Sequence, residues 1–92
     1  MNNNLNNPEE NNYLSGNSLA KYLFKDGVKH LACMVSNLNE EDALQSQNLN
    51  LIVGYEELED SFIFISNDGN KWNCAIPVSS KNNQPLYIKT EG

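Results

Sequence analysis

Apolar and polar residues change their spacing along the chain, from a helical period in the first half to strict alternation in the second. In SLAKYLFKDG, the apolar residues Leu19, Tyr22 and Leu23 fall on one side of a helix. Gly27 then supplies a residue that adopts the left-handed conformation readily, as many helix ends require. The pattern predicts a short helix from about Ser18 to Asp26.

The start and the nature of this first element leave alternatives. Asn17 or Ser18 can cap the first helical turn, because both side chains accept hydrogen bonds from free backbone N–H groups. Asp26-Gly27 is also a hairpin-turn dipeptide. The alternative prediction is therefore a β-hairpin over residues 19–35, which would make the chain mostly β.

A strand and a second short helix follow. VKHLACMVS is apolar enough for a strand, and a longer helix through Gly27 would cost about 1 kcal/mol at the glycine. Asn39 followed by Asp42 resembles a capping box, and three successive acidic residues suit the positive end of a helix dipole. We predict a helix from Glu40 to Gln47.

From Leu49 onward the pattern is that of β-strands. SFIFIS is β-branched and aromatic on both faces, and NKWNCAIPVS alternates, with Trp72, Cys74, Ile76 and Val78 on one side. SNDGN and SSKNNQP are turns by composition, and LYIKT is a last short strand. The chain is thus predicted to be α+β, with a short N-terminal helix, a strand, a second short helix and then an antiparallel β-meander of about four strands.

The strand FIFI is apolar on both faces, which predicts its position and its neighbours. We expect it at the centre of the sheet, with both helices on one of its faces. The other face then needs a cover, supplied by N-terminal elements or by a second molecule, so a homodimer is one expected state. Pro77 cannot donate to a ladder, so its strand is expected to lie near an edge or to leave the pairing at that point.

The composition divides the chain into a tail and one domain. Residues 1–14 are rich in asparagine and carry few apolar side chains, so they are predicted to form a disordered tail. Residues 15–92 are predicted to form a single small α+β domain, near the lower size limit for a core held by packing alone. Domains of this size often gain stability from a partner or from self-association.

The net charge of −6 favours a protein partner over nucleic acid. Nucleic-acid binders need basic surfaces that displace counterions, and this chain has no arginine. Seven carboxylates and no lysine lie between residues 37 and 60, either as a solvated face or as a patch that docks onto a basic protein surface. Lys21, Lys25 and Lys29 repeat every four residues and either solvate the first helix or oppose this acidic segment.

Few residues are suited to catalysis or metal binding. Cys33, Cys74 and His30 are too few for a structural zinc site, and their spacing does not indicate a nucleophile with its base. NDGN at residues 67–70 resembles the start of a calcium loop, but proline and valine stand where the closing carboxylate is needed. No enzymatic activity, metal or cofactor is therefore expected.

The expected location is the cytoplasm, with no membrane contact. No apolar run reaches the roughly 18 residues of a membrane span, and the polar N-terminus lacks the apolar segment of a signal peptide. Two cysteines are too few for the disulfide framework of a small secreted domain, so both thiols are expected to be reduced.

These observations favour a non-enzymatic protein-binding module that acts stoichiometrically as an inhibitor, adaptor or regulator. Its acidic surface is expected to steer onto a basic protein partner, while neighbouring apolar residues supply affinity. The alternative is a homodimeric module that binds a small molecule between sheet and helices, in a pocket lined by Trp72, Tyr55 and His30. For the protein-binding hypothesis, the predicted interaction residues are Glu56, Glu57, Glu59, Asp60, Tyr55, Leu58 and Phe62.

Overall fold

Two helices and seven strands make up residues 13–89, the part of the chain that the computed structural model describes. The predicted α+β class with an antiparallel meander is confirmed, and the helix Gly16–Lys25 excludes the alternative hairpin over residues 19–35. Neither helix of this part is long and apolar enough to cross a membrane. In chain order, the elements are β1 (Tyr13–Ser15), α1 (Gly16–Lys25), β2 (Leu31–Ser36), α2 (Glu40–Ser46), β3 (Leu49–Glu57), β4 (Phe62–Ser66), β5 (Lys71–Trp72), β6 (Cys74–Pro77) and β7 (Tyr87–Lys89).

Helix α1 begins at Gly16, two residues before the predicted start, because a side chain from α2 caps it. The Asn17 backbone N–H donates to Glu40 Oε2 at 3.1 Å. Gly16 has a φ of +59°, a left-handed conformation that favours glycine, and a Cβ at this position would displace the Glu40 carboxylate from its place at the helix start. Ser15 is the N-cap residue and makes no side-chain hydrogen bond, so neither Asn17 nor Ser18 has the predicted capping role.

Helix α2 starts where its sequence predicts. The Asp42 backbone N–H donates to Asn39 Oδ1 at 2.7 Å, which satisfies one of the free donors of the first turn. The helix ends at Ser46, one residue before the predicted end, because Gln47 adopts a left-handed conformation with a φ of 53°. Both ends follow from residues within the helix or beside it, which is why the local pattern predicted them well.

Five strands form one antiparallel sheet whose two edge strands are neighbours along the chain. The order is β5-β4-β3-β2-β6, yet Asn73 alone separates β5 from β6. The Cα atoms of Trp72 and Cys74 therefore lie within about 7.6 Å of each other, whereas the edges of a flat five-stranded sheet lie about 19 Å apart. The sheet consequently curls until its two edges meet at Asn73.

Three asparagines hold this bend. The Asn73 backbone N–H donates to Asn37 Oδ1 at 2.9 Å, and the Asn73 side-chain amide donates to the Asn37 carbonyl at 3.4 Å. Just beyond the bend, the buried Ala75 N–H donates to Asn17 Oδ1 at 2.7 Å. The segment NKWNCAIPVS is thus two strands rather than the single strand that was predicted, because the chain leaves one sheet edge and joins the other.

The two helices lie on opposite faces of the curled sheet, rather than on one face as predicted. The bend sends Trp72 to the α1 face but Ile76 and Val78 to the α2 face, so the predicted alternation through this segment is wrong. On the α2 face, the buried cluster contains Met34, Ala43, Ile76 and Val78. On the α1 face, it contains Ala20, Phe24, Cys33, Val35, Ile52, Phe62, Phe64 and Ala75.

Strand β4, which contains FIFI, is not the central strand; that position belongs to β3. Phe62 and Phe64 are buried on the α1 face, whereas Ile63 and Ile65 on the other face are half-buried. The seven residues of α2 pack on β2 and β6 and leave β4 without a helix on that side. Strand β6, which ends at Pro77, is an edge strand as predicted.

The last strand, β7, does not join the meander but pairs with β1 in a separate two-stranded sheet. Tyr13 and Tyr87 pack edge to face across this pair, with ring centroids 5.3 Å apart. Tyr13 and Leu14, which the sequence placed in the tail, therefore belong to a strand whose partner lies at the other end of the domain. The rest of the predicted tail, residues 1–12, lies outside the described residues.

Replacing Asn17 by alanine should destabilise the fold by about 1–3 kcal/mol, because the buried Ala75 N–H then loses its acceptor. Ser18→Ala, at the next and exposed position of α1, is the matched control and should change the free energy of unfolding by less than about 0.5 kcal/mol. Urea unfolding followed by Trp72 fluorescence measures both. Equal stability of the two variants would contradict the role given to Asn17.

Candidate functional site

Most of the predicted interaction residues gather at the end of the β3–β4 hairpin. The turn closes where the Leu58 N–H donates to the Ser61 carbonyl at 2.8 Å. Leu58 is 55% exposed beside acidic neighbours. Around it lies a surface hollow of about 290 Å³, here named the tip hollow, which is lined by Lys21, Glu57, Leu58, Glu59, Asp60, Ser61 and Phe62.

An aromatic cluster holds this hairpin against α1. Tyr55 and Phe62 stack with ring centroids 4.8 Å apart and ring planes 9° from parallel. Phe24 of α1 lies 5.9 Å from Tyr55 and 6.5 Å from Phe64, again between ring centroids. Each such pair stabilises the fold by about 0.5–1.5 kcal/mol beyond the area it buries. The hairpin therefore presents its tip from a fixed base, and Tyr55, 38% exposed, keeps part of its ring accessible.

Two lysines of α1 face the acidic hairpin. Lys25 Nζ pairs with Glu57 Oε2 at 3.2 Å, and Lys21 Nζ lies 5.3 Å from the centre of the Phe62 ring. Lys29, the third residue of the predicted repeat, lies beyond the end of α1 in an exposed loop. The side chains of Lys25 and Glu57 are half exposed, so water screens their attraction and the pair contributes at most about 1 kcal/mol.

Glu56 lies on the opposite face of the sheet from Glu57. Successive residues of a strand point to opposite faces, so Glu57 faces α1 and Glu56 faces away from it. On that side Glu56 Oε1 pairs with Lys71 Nζ of β5 at 3.4 Å. The structure therefore brings Glu57, Glu59 and Asp60 together at the tip hollow and places Glu56 elsewhere. Glu59 and Asp60 are exposed and make no ion pair within residues 13–89.

A second hollow, of about 340 Å³, continues from the tip hollow toward the bend of the sheet. The two hollows share Lys21, Asp60, Ser61 and Phe62, and the second is also lined by Asn17 and Asn73. The predicted interaction surface is thus connected to the asparagines that hold the bend. The same side chains of Asn17 and Asn73 are engaged in those hydrogen bonds, so the polar wall of this hollow is fixed in place.

The three residues predicted to line a small-molecule pocket are not brought together at either hollow. Tyr55 and Trp72 flank Phe64 on the α1 face. Each lies directly opposite Phe64 on an adjacent strand, Tyr55 on β3 and Trp72 on β5. Trp72 Nε1 donates to Ser66 Oγ at 3.3 Å, so its polar end already has a partner. His30 is exposed in the loop that precedes β2.

The two cysteines are buried and unbridged. Burial raises the pKa of the Cys33 thiol from its usual 9.0 to about 12, so the nucleophilic thiolate is strongly disfavoured. His30, the base that a nucleophilic site would need, is exposed, whereas Cys33 is fully buried. Within residues 13–89, no group of three or more histidine, cysteine or acidic side chains is arranged to hold a metal ion.

NDGN forms the predicted hairpin turn between β4 and β5. The Ser66 hydroxyl and the Asn70 backbone N–H both donate to Asp68 Oδ1, the latter at 3.2 Å. Gly69 takes a φ of +89°, and its N–H donates to the Ser66 carbonyl at 2.9 Å. These hydrogen bonds, that from Ser66 above all, lower the pKa of the Asp68 carboxyl. The Asp68 carboxylate thus stabilises the turn by accepting hydrogen bonds from within it.

Comparisons of this chain with protein-family models, with curated proteins and with solved structures find no match. The site is therefore defined by its own chemistry, which is an acidic and apolar hairpin end on an aromatic base. The sequence did not identify Lys21 as part of the hollow. The signal was present in the four-residue spacing of Lys21 and Lys25, which places both on one side of α1.

The lowered pKa of Asp68 predicts a pH-dependent contribution to stability. Because its native pKa lies below the unfolded value near 3.8, the stabilisation is complete above that pH and is lost as the pH falls through the native pKa. Asp68→Asn should therefore lower Tm at neutral pH, and the gap to the wild type should close in acid. Asp60→Asn controls for the change in net charge. A gap that stays constant down to the acid limit would contradict this role.

The buried Cys33 thiol should resist modification in the native protein. A pKa of about 12 rather than 9.0 reduces the thiolate population at mildly alkaline pH by about a thousandfold. We expect a thiol reagent to label Cys33 only as fast as the fold opens, and immediately in urea. Peptide mass spectrometry identifies the labelled residue. Rapid labelling of Cys33 in the native state would restore the nucleophile hypothesis.

Proposed function

We propose that this protein binds another protein stoichiometrically, through the tip hollow of the β3–β4 hairpin. The observation that carries the proposal is the combination, on one exposed hairpin end, of the apolar Leu58 with Glu59 and Asp60, two exposed carboxylates without ion pairs in residues 13–89. Such a combination supplies both apolar contact area and directed charge. The partner that it favours is a protein with a basic surface.

Charge and apolar area have separate roles in this proposal. The carboxylates of the tip, in a molecule of net charge −6, attract a basic partner at long range and raise the rate of encounter. Leu58 and the exposed part of Tyr55 then lose water on contact and supply affinity. Since the aromatic cluster already fixes the hairpin against α1, little conformational entropy remains to be lost on binding.

Lys21 and Lys25 of α1 reduce the attraction between the acidic tip and a basic partner. Lys25 neutralises Glu57, and Lys21 lies over the Phe62 ring at the edge of the same hollow. The effective acidic charge of the tip therefore comes from Glu59 and Asp60. A basic side chain of the partner has these two carboxylates as its targets, and Glu56 is omitted from the proposed surface because it lies on the other face.

The proposed role is non-enzymatic. An inhibitor, an adaptor or a regulator that covers a basic surface of its partner in the cytoplasm would use such a hairpin end directly. The acidic balance of the chain, which has no arginine, supports a protein partner and opposes direct binding of nucleic acid.

Charge reversal at the tip tests the proposal. The variant E59K/D60K should weaken capture of a stoichiometric partner from the protein's own cells at least about tenfold at low salt, because steering and contact charge are both reversed. The control E41K/Q45K/S46K changes net charge by the same amount on exposed positions of α2 and should retain the partner. Raising the salt concentration should release the partner from the wild type. Partner capture that is equal in the two variants, or insensitive to salt, would disprove docking through the tip.

A further inference from the structure

The α2 face of the sheet carries an apolar surface that neither helix of residues 13–89 covers. The register places Leu51 opposite Ala32 and Ile65 opposite Gly54 on this face, and the irregularity between Ile52 and Gly54 adds Val53 to it. Helix α2 packs on β2 and β6 and does not extend over β3 and β4. We name this surface the apolar patch: Leu49, Leu51, Val53, Ile63 and Ile65.

The patch is exposed to a degree unusual for residues of this kind in a sheet. Leu49, Leu51 and Val53 are 44%, 40% and 44% exposed, and the two isoleucines are half-buried. These five side chains lie on two adjacent strands, so their exposed area is continuous rather than scattered. Contiguous apolar surface of this kind marks an interaction site in a folded protein.

The charges beside the patch are balanced. On strands β2 to β5, the register places two charged side chains on this face, Glu56 and Lys71. They meet across β4, with Lys71 Nζ 3.4 Å from Glu56 Oε1. The strands around the patch therefore carry one charge of each sign, and the acidic residues Glu40, Glu41 and Asp42 lie on α2, beside β2 and β6. The patch itself offers no net attraction to the basic partner proposed for the tip hollow.

The apolar patch suits a second copy of the chain better than it suits residues 1–12. Residues 1–12 contain Met1 and Leu5 as their apolar side chains apart from one proline, which is too little to match the five aliphatic residues of the patch. A second copy of the chain brings the same aliphatic residues and the same balanced pair. Two-fold contacts require a surface that is complementary to itself, and an apolar patch bordered by one acid and one base meets that requirement, whereas the acidic tip would repel its own copy.

We propose that the apolar patch is the interface of a two-fold symmetric dimer of this chain. The Glu56–Lys71 pair of each subunit borders the contact and keeps its charge neutral. Because Glu57 and the tip hollow lie toward α1, on the other side of the sheet, the dimer leaves both tip hollows accessible. The dimer and the proposed docking of a basic partner are therefore independent of each other.

Sedimentation equilibrium of the full chain, from micromolar to millimolar concentration, tests this assembly. The wild type should shift from the 10.4 kDa of one chain toward twice that mass. Leu51→Lys should raise the dimer dissociation constant at least about tenfold, because it places a charge within the apolar contact. Leu58→Lys is the matched control: an exposed leucine in the turn of the β3–β4 hairpin becomes lysine at the tip, and dimerisation should be unchanged. Melting curves establish that both variants fold.

A charge-swap series tests the border of the interface. Glu56→Lys and Lys71→Glu each give the face two charges of one sign, so each variant alone should dimerise weakly. An equimolar mixture of the two, and the double variant E56K/K71E, should regain dimerisation. A wild type that remains monomeric at millimolar concentration, equal dimerisation of the Leu51→Lys and Leu58→Lys variants, or single charge variants that dimerise as the wild type does, would each overturn the proposal.

Discussion

The bend at Asn73 is the constraint on which the rest of this fold depends. A single residue connects the two edges of the five-stranded sheet, so the sheet has to curl, and the curl brings residues from every strand against α1. The bend is held by polar groups rather than by packing: Asn37 binds Asn73 on both its backbone and its side chain, and Asn17 binds the N–H of Ala75. These bonds satisfy backbone groups at the sheet edge that the bend would otherwise leave without partners.

The curled sheet explains why the two candidate surfaces have different characters. On the α1 face, the aromatic residues of the hairpin are packed against Phe24, and the hairpin end stays exposed. On the other face, the short α2 covers β2 and β6, so that the aliphatic residues of β3 remain exposed and those of β4 are half-buried. One hairpin thus has an acidic tip that faces α1 and an aliphatic surface that faces away from it. Glu56 and Glu57, adjacent in sequence, belong to different surfaces for this reason.

Local signals predicted the elements, and distant contacts determined their arrangement. The cap of α2 by Asn39 and the Asp68-Gly69 turn could be read from the sequence, because all their partners lie within a few residues. The bend could not, since Asn37 and Asn73 are 36 residues apart and Asn17 and Ala75 are 58 apart. The same holds for β1, whose partner β7 lies at the other end of the domain. For the candidate site, the acidic segment is contiguous in the sequence, but Glu56 and Glu57 point to opposite faces because both belong to a strand, and this separation became visible only with the register of β3 and β4.

The two proposed interactions differ in their dependence on salt, because their driving forces differ. Docking of a basic partner at Glu59 and Asp60 relies on attraction between opposite charges, which ions at physiological strength screen beyond about 8 Å. Association of two copies brings together molecules of net charge −6 through an aliphatic surface, so the same ions lower the repulsion and leave the apolar contact intact. Salt should therefore weaken the first interaction and favour the second. Hairpin residues that point toward α1 therefore belong to the proposed docking site, and those that point away from α1 belong to the proposed dimer interface.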